Sequence, residues 1–227
     1  MTATIAGVNE IECPYGPTGL RIFLADMRRL PESQSLLPEI DEAERLRAAA
    51  FRSPDARESF IRRRWLRRIL IARGHDLNPA DIRIDSDRLG RPRVMAPDQI
   101  ACLQISTSSA GHLALIAWRR DLPLGVDLAR LDPDQASRAA AAVFMSPEEL
   151  RRWQDGDTLE FFRTWSRKEA ALKAIGTGFA TDPPMVSVSG PTLVWHVPST
   201  RDHIDVHDLP IAPGYVAAVA CARADPL

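Results

Sequence analysis

The chain has 227 residues, of which 45% are hydrophobic and 26% charged, and its formal net charge is −1. These values are typical of a globular protein, and they exclude a disordered chain or one drawn to nucleic acid or anionic membranes by its global charge. The longest apolar run, residues 113–118, is far shorter than the roughly 18 residues that a membrane helix needs, and the first residues lack a signal-peptide pattern. We therefore expect a cytoplasmic protein without a membrane partner. Its three cysteines form no CxxC pair and have no histidine at ligand spacing, so disulfides and structural zinc are not expected.

Two helices are predicted in the first half of the chain. Residues 37–51, rich in Glu, Arg and Ala, form the first. Residues 57–73 carry seven arginines above apolar residues at helical spacing, which predicts an amphipathic helix with a strongly basic face. That helix ends at Gly74, and strand-like segments follow from Ile82 and from Gly111.

The second half of the chain has a similar order of signals. Residues 133–153 predict a helix that is broken where Ser146 can cap a new one. A further helix occupies most of residues 161–178, and strand-like segments follow from Val186 and from Gly214. The spacing from the helix-ending glycine to the next strand segment is 8 positions in both halves, and the spacing between strand segments is 29 and 28. Either common helix and turn signals agree by chance, or two similar α/β halves face each other across a ligand cleft and join near residues 118–125.

Asp127 stands in an apolar strand-like segment, residues 123–132. Strand alternation puts Leu124 and Val126 on one face and Asp127 on the other. An ionised carboxylate in such a place needs a partner. The simpler interpretation is an aspartate at a strand end that accepts backbone hydrogen bonds.

The helix within residues 161–178 carries Trp165, Glu169 and Lys173 on one face. The ordinary interpretation is an ion pair between Glu169 and Lys173, worth about 0.3–0.5 kcal/mol. The functional interpretation is that Asp127 and Glu169 share Mg²⁺, a cation that is commonly held jointly with substrate phosphates. Lys168 and Lys173 would then contact those phosphates, and the chemistry indicated is phosphoryl transfer.

These residues also carry a resemblance to a known family. The strand "GVDLA" followed about 35 residues later by "WSRKEAALK" resembles the paired signature of the Sfp-type 4′-phosphopantetheinyl transferases. Four further segments resemble the family in the same order along the chain: "LGRP" at 89–92, "QISTSS" at 104–109, "FMSPEEL" at 144–150 and "APGYVAAVACA" at 212–222.

The resemblance implies an enzyme that moves the phosphopantetheine arm of coenzyme A onto a serine of an apo carrier protein and releases adenosine 3′,5′-bisphosphate. The carrier would be an acyl, polyketide or peptidyl carrier protein. The implied fold is α+β, a pseudo-twofold pair of α/β subdomains that each consist of a small antiparallel sheet on a long helix. The N-terminal half, residues 1–120, would contact the nucleotide of the coenzyme, and the C-terminal half, residues 121–227, would bind the metal. The expected assembly is a monomer.

The family pattern also implies roles for individual residues. Asp127 and Glu169 would be the Mg²⁺ ligands, and Lys173 would contact the pyrophosphate. Glu149 matches a carboxylate that is a metal ligand or the base for the serine, with a metal-bound water as the alternative base. The catalytic residues would thus be Glu169, Lys173 and Glu149. The implied coenzyme contacts are Arg47, Arg57, Ser59, Arg91, Ser106, Thr107 and Lys173.

Two positions depart from the family pattern. Many members have a second acid where this chain has Ala129, and the histidine that meets the 3′-phosphate of the coenzyme is Thr107 here. These departures leave open a catalytically impaired relative that only binds coenzyme A or a carrier protein. A third hypothesis, a nucleic-acid-binding module, rests on the arginine-rich helix alone, because no nucleic-acid-binding motif accompanies it.

Overall fold

The computed structural model describes residues 5–88, 90–176, 181–188, 192–195 and 204–223. The first part of the chain forms strands β1 (Val8–Glu10) and β2 (Arg21–Asp26), then helices α1 (Ser33–Leu36), α2 (Glu42–Ala49) and α3 (Pro54–Gly74). Strands β3 (Arg83–Ser86), β4 (Pro92–Ala96), β5 (Leu103–Ala110) and β6 (Leu113–Arg120) follow. The later part contains β7 (Leu124–Arg130), α4 (Arg138–Phe144), α5 (Pro147–Arg152), α6 (Thr158–Ile175), β8 (Thr192–Trp195), β9 (Ile204–Asp208) and β10 (Tyr215–Ala222).

The strands form two antiparallel sheets. The first has six strands in the order β1-β2-β6-β5-β4-β3, and the second has four in the order β7-β10-β9-β8. Helix α3 packs on one face of the first sheet through Phe60, Trp65 and Leu66, and α6 packs on the second sheet through three alanines. The opposite faces of the two sheets share an apolar layer to which Leu115 and Val126 belong. The mixed α/β class with antiparallel sheets, which was expected from the sequence, is confirmed.

The helix boundaries follow from capping residues. The helix predicted at 37–51 begins only at Glu42, because Asp41 and Glu44 form a capping box. The helix predicted at 133–153 is broken as expected: Ser146 caps α5 and accepts a hydrogen bond from the backbone amide of Glu149 at 3.2 Å. None of the helices in the described part of the chain is long and apolar enough to cross a membrane.

One predicted strand is wrong in its described part. Val186 to Val188 are irregular, and the strand that pairs with β9 is Thr192–Trp195. The backbone of this segment bonds instead to side chains: the carbonyl of Val186 accepts from Lys168, and the amide of Val188 donates to Glu149. Gly178 and Leu89, which belonged to the predicted spacings and motifs, lie outside the described residues.

Candidate active site

Asp127 is the centre of a polar network between the two sheets and α6. It lies on β7 and is buried. Its Oδ1 accepts hydrogen bonds from Ser108 Oγ at 2.9 Å and from Lys173 Nζ at 2.7 Å, and its Oδ2 accepts one from Ser166 Oγ at 3.1 Å. The buried carboxylate therefore has the partners that its burial requires, and they come from β5 and α6.

A glycine permits this close approach of α6 to β7. A Cβ atom added at Gly125 would lie 2.0 Å from the carbonyl oxygen of Ala170 and 2.6 Å from the backbone nitrogen of Ala174. Alanines on both sides also allow α6 to lie close to the sheet. Ala170 and Ala174 of α6 pack against Ala218, the residue of β10 that pairs in register with Asp127. The glycine of "GVD" thus lets Lys173 reach Asp127.

Glu169 lies one helical turn before Lys173 and is half-buried. Burial raises the pKa of its carboxyl group, the negative charge of Asp127 raises it further, and the positive charge of Lys173 partly offsets both effects. The described residues contain no Glu169 to Lys173 ion pair, the ordinary interpretation; Lys173 donates instead to Asp127 and to the carbonyl of Val126 at 3.0 Å. Among the residues that the structure describes, Glu169 has no hydrogen-bond or ion-pair partner.

These charges give the site an excess of acid. Two carboxylates, Asp127 and Glu169, face one ammonium, that of Lys173. The described residues contain no cluster of three or more His, Cys, Asp or Glu that could enclose a metal. Two carboxylates without a closed protein cage fit Mg²⁺, which keeps water ligands and shares substrate phosphates, better than a structural metal.

Lys168 does not contact a phosphate site, contrary to the expectation from the sequence. The residue is 1% exposed, and its ammonium pairs with Glu149 at 2.7 Å and donates to the carbonyls of Pro183 and Val186. All three donors are therefore used inside the protein. Helical geometry is the reason, because adjacent positions on α6 point about 100° apart, so that Glu169 faces the side of Asp127 and Lys168 does not.

Glu149 is equally enclosed. Its side chain is buried, Oε2 accepts a hydrogen bond from the amide of Ser146 at 2.7 Å, and Oε1 accepts one from the amide of Val188 at 2.6 Å. With Lys168 added, three donors bind this carboxylate. Its assignment as the base or as a metal ligand stays a prediction.

The segment "QISTSS" lies on β5, and its side chains point alternately to the two faces of the sheet. Ser106 accepts a hydrogen bond from the amide of Val126 at 3.0 Å, and Ser108 donates to Asp127, so this face joins β7. Thr107 and Ser109 face α3, where Ser109 Oγ accepts from Arg63 at 3.3 Å. One strand thus connects the acid site to the basic helix.

A cleft lies beside this strand, between β5 and α6. One hollow of about 210 Å³ is lined by Arg91, Ser106 and Thr107 from the first half and by Leu172 and Lys173 from α6. Arg91 also reaches across and donates to the carbonyl of Leu124 at 3.4 Å. A second hollow shares Thr107 and is lined further by three arginines of α3, at positions 63, 64 and 67. The cleft therefore has cations at both ends.

The arginines of α3 have different environments. Arg67 and Arg68 are buried and pair with Glu44 at 2.8 Å each, so they do not form part of an open basic surface. Burial lowers the pKa of Arg67 to about 10. Burial also lowers the pKa of Arg63 and of Arg64, and Arg63 has no carboxylate partner among the described residues. A half-buried cation without a counterion favours an anionic ligand.

The predicted nucleotide contacts are only partly brought together. Arg47 lines a hollow next to Arg64 and lies over the ring of Phe60, with 5.9 Å between its guanidinium carbon and the ring centroid. Arg57 is exposed and Ser59 is half-buried, and neither lines the hollows described above.

Ala129 points to the α6 side of β7, as Asp127 does. It is buried in an apolar cluster that includes Phe144 and Phe162 and against which Trp165 packs. The absent acid of the family pattern is thus replaced by an apolar contact. The nucleic-acid hypothesis loses support, because the arginines on which it rested are partly committed to internal ion pairs.

Sequence reasoning missed four polar residues of the site: Ser108, Ser166, Arg63 and Arg64. Two of them had a local signal. Ser166 lies three positions before Glu169 on the same helical face, and Ser108 lies two positions after Ser106 on the same strand face.

Comparisons with known proteins place the chain in a family. The family model of the 4′-phosphopantetheinyl transferase superfamily matches residues 123–220. The chain is 31% identical over 156 residues to the 4′-phosphopantetheinyl transferase HetI of Nostoc sp., covering 66% of each chain. It is 30% identical over 166 residues to the 4′-phosphopantetheinyl transferase ffp of Bacillus subtilis and 27% identical to Sfp of the same species, in both cases covering 70% of this chain and 71% of the relative. The resemblance noted in the sequence is thereby confirmed, and the chain belongs to the 4′-phosphopantetheinyl transferase superfamily.

Proposed function

We propose that this protein transfers the 4′-phosphopantetheine arm of coenzyme A to a serine of an apo acyl or peptidyl carrier protein in a Mg²⁺-dependent reaction. The observation that carries the proposal is the cleft, which has Lys173, bonded to Asp127, at one end and arginines of α3 at the other. Coenzyme A has phosphates at two places along its length, so it matches a cleft with cations at both ends.

The serine oxygen of the carrier would attack the phosphorus that bears the pantetheine and would give up its proton to a general base. A new P–O bond forms, the bond from that phosphorus to the bridging oxygen breaks, and adenosine 3′,5′-bisphosphate leaves with the bond electrons. Asp127 and Glu169 would hold Mg²⁺, which when bound supplies neutralisation of the charge that develops on the pyrophosphate. Lys173 lines the cleft and is partly exposed, so it can exchange its contact with Asp127 for an oxygen of the leaving group.

The coenzyme would extend along β5 from α6 to α3. Arg91, Ser106 and Thr107 line the middle of this path. Arg63 and Arg64 are the cations best placed for the 3′-phosphate, since both line the second hollow and Arg63 has no carboxylate partner among the described residues. Arg47 would extend the same basic end.

We also propose that the chain is a pseudo-twofold pair of halves, residues 1–120 and 121–227, that works as a monomer. The strand orders β2-β6-β5-β4 and β7-β10-β9-β8 support the relation, because each half places the strand that precedes its helices, β2 or β7, beside its last strand, β6 or β10. Both ends of the cleft come from one chain, which supports a monomer.

The experiment is a transfer assay with coenzyme A, Mg²⁺ and an apo carrier domain, in which mass spectrometry detects the added arm on the carrier. The wild-type protein should modify the carrier, and Asp127→Ala and Glu169→Ala should abolish transfer. Glu160→Ala is the matched control, because Glu160 lies on the same helix outside the lining of the cleft and its side chain makes only long contacts, with Arg167 at 3.7 Å and with Thr164 at 3.5 Å. Near-normal carrier modification by either acid variant at limiting Mg²⁺ would show that the metal site is misassigned.

A protein that binds coenzyme A without modifying any carrier would support the impaired relative instead. Ala129 and Thr107 are the observations that favour this second candidate. Equilibrium binding of coenzyme A, measured beside the transfer assay, separates the two functions.

A further inference from the structure

We propose that Glu149 and Lys168 form a buried clamp that positions the cleft end of α6, and that Glu149 is a positioning residue and does not accept the proton of the serine. This inference rests on the proposed function, since it concerns the same transfer reaction. Both side chains are charged, yet both are buried.

The first observation is the complete enclosure of both charges. Lys168 is 1% exposed and Glu149 is 6% exposed. Their ion pair has an Nζ to Oε2 distance of 2.7 Å. Two isolated charges at such depth are strongly unfavourable, but a pair with further hydrogen bonds is tolerated.

The second observation is that both side chains bind the same backbone segment, residues 183–188. Lys168 donates to the carbonyl of Pro183 at 3.0 Å and to that of Val186. Glu149 accepts from the amide of Val188 at 2.6 Å. The segment has no strand partner in its described part, so these side chains satisfy backbone groups that a sheet would otherwise satisfy.

The third observation links the clamp to the cleft. Val186 and Val188 pack on Leu172 of α6 in a small apolar cluster. Leu172 lines the hollow together with its neighbour Lys173. The clamp therefore holds residues 183–188 against the turn of α6 that carries Lys173.

The geometry also argues against a role as base. A base must reach the proton that it removes, directly or through one water. The carboxylate of Glu149 already accepts from Lys168 and from the amides of Ser146 and Val188, and its side chain is buried. Its negative charge is used to compensate Lys168.

The two roles predict different behaviour of paired variants. Removing one partner of a buried ion pair leaves an uncompensated charge, whereas replacing both with neutral residues of similar size is far milder. A clamp whose ion pair compensates both charges therefore predicts that Glu149→Gln and Lys168→Met each impair the protein. The double variant should recover most of this loss, apart from the share due to the two backbone carbonyls that Lys168 no longer binds. A base predicts no recovery, because the double variant also lacks the carboxylate.

The experiment measures kcat/KM for coenzyme A in the wild type, the two single variants and the double variant Glu149→Gln/Lys168→Met. We expect the double variant to exceed Glu149→Gln by about tenfold or more, since coupling between contacting residues commonly reaches this size. A double variant no more active than Glu149→Gln, with Lys168→Met active, would overturn the proposal. If the single variants do not fold, the double variant decides alone: folded and active supports the clamp, and folded and inactive or unfolded overturns it.

Two further readouts separate a positioning role from a chemical one. The acid limb of the pH profile of kcat/KM should persist in the active double variant, and its disappearance would assign the proton acceptor to Glu149. Hydrogen–deuterium exchange of residues 183–188 should be faster in Glu149→Gln than in the wild type, and unchanged exchange would refute the clamp. The exchange measurement needs no turnover, so it tests the clamp even if the wild type transfers no arm and the proposed function fails.

Discussion

The contact of α6 with β7 at Gly125 is the feature on which the site geometry depends most directly. Gly125→Ala would place a methyl group 2.0 Å from the carbonyl oxygen of Ala170 and 2.6 Å from the backbone nitrogen of Ala174. Both are backbone atoms of the helix, so no side-chain rotation relieves the overlap. Because Cβ contacts under 3.0 Å are essentially never found, the helix must recede by about 1 Å (3.0 − 2.0).

That displacement has two consequences of estimable size. Overpacking of this kind costs roughly 1–3 kcal/mol of the free energy of unfolding, and each kcal/mol lowers Tm by about 2–4 °C in a chain of this length. The helix also carries Lys173, whose 2.7 Å contact with Asp127 would lengthen. A misplacement of about 1 Å in a catalytic constellation can reduce the rate roughly 100-fold. We therefore expect a lower Tm and a loss of kcat/KM of that order.

Thermal unfolding and the carrier modification assay measure the two effects on the same protein. Gly74→Ala is the matched control, because it also adds a methyl group between a helix and a sheet, but its nearest contact is a ring carbon of Trp118 at 3.0 Å. The control should keep nearly full activity. A Gly125→Ala variant with unchanged Tm and activity within a few-fold of the wild type would refute the close approach and the role we assign to it.

Three other substitutions probe single groups of the cleft. Thr107→His adds a group able to carry positive charge beside Arg63, so it should increase the preference in kcat/KM for coenzyme A over 3′-dephospho-coenzyme A, and an unchanged ratio would mean that the arginines already recognise this phosphate fully. Ala129→Glu buries a carboxylate among aromatic residues, so it should lower Tm when Mg²⁺ is absent. It should also reduce the Mg²⁺ concentration needed for half-maximal activity. If Mg²⁺ changes neither the Tm nor the activity of this variant, residue 129 lies away from the ion. Glu169 has a raised pKa, so the folded state binds its proton more tightly than the unfolded state, and stability falls as pH rises above the ordinary glutamate value. Without Mg²⁺, Glu169→Gln should therefore have a higher Tm than the wild type at neutral pH, and this gain should vanish near about pH 4. The variant should also lose transfer activity. Equal Tm values of variant and wild type at neutral pH would contradict the burial of Glu169.

The periodicities of the sequence determined much of the site. A period of 3.6 placed Glu169 and Lys173 on one face of α6, and alternation placed Asp127 on the opposite face of β7 from Leu124 and Val126. The caps at Asp41 and Ser146 were equally local, since a capping box needs residues only three positions apart. Such patterns depend on the chain within a few residues, so sequence alone was sufficient for them.

The partners of the charged residues were decided by the tertiary structure. Lys168 looked like a phosphate ligand because it precedes Glu169, but a rotation of about 100° turns it toward Glu149, which lies 19 positions earlier in the chain. Arg67 and Arg68 looked like part of a basic surface until α2 brought Glu44 against them. Asp127 received Ser108 from another sheet and Ser166 from α6. A local pattern fixes the direction of a side chain relative to its own helix or strand. The elements that pack against that side chain come from distant parts of the chain, and they decide whether it contacts water, an ion-pair partner or a ligand.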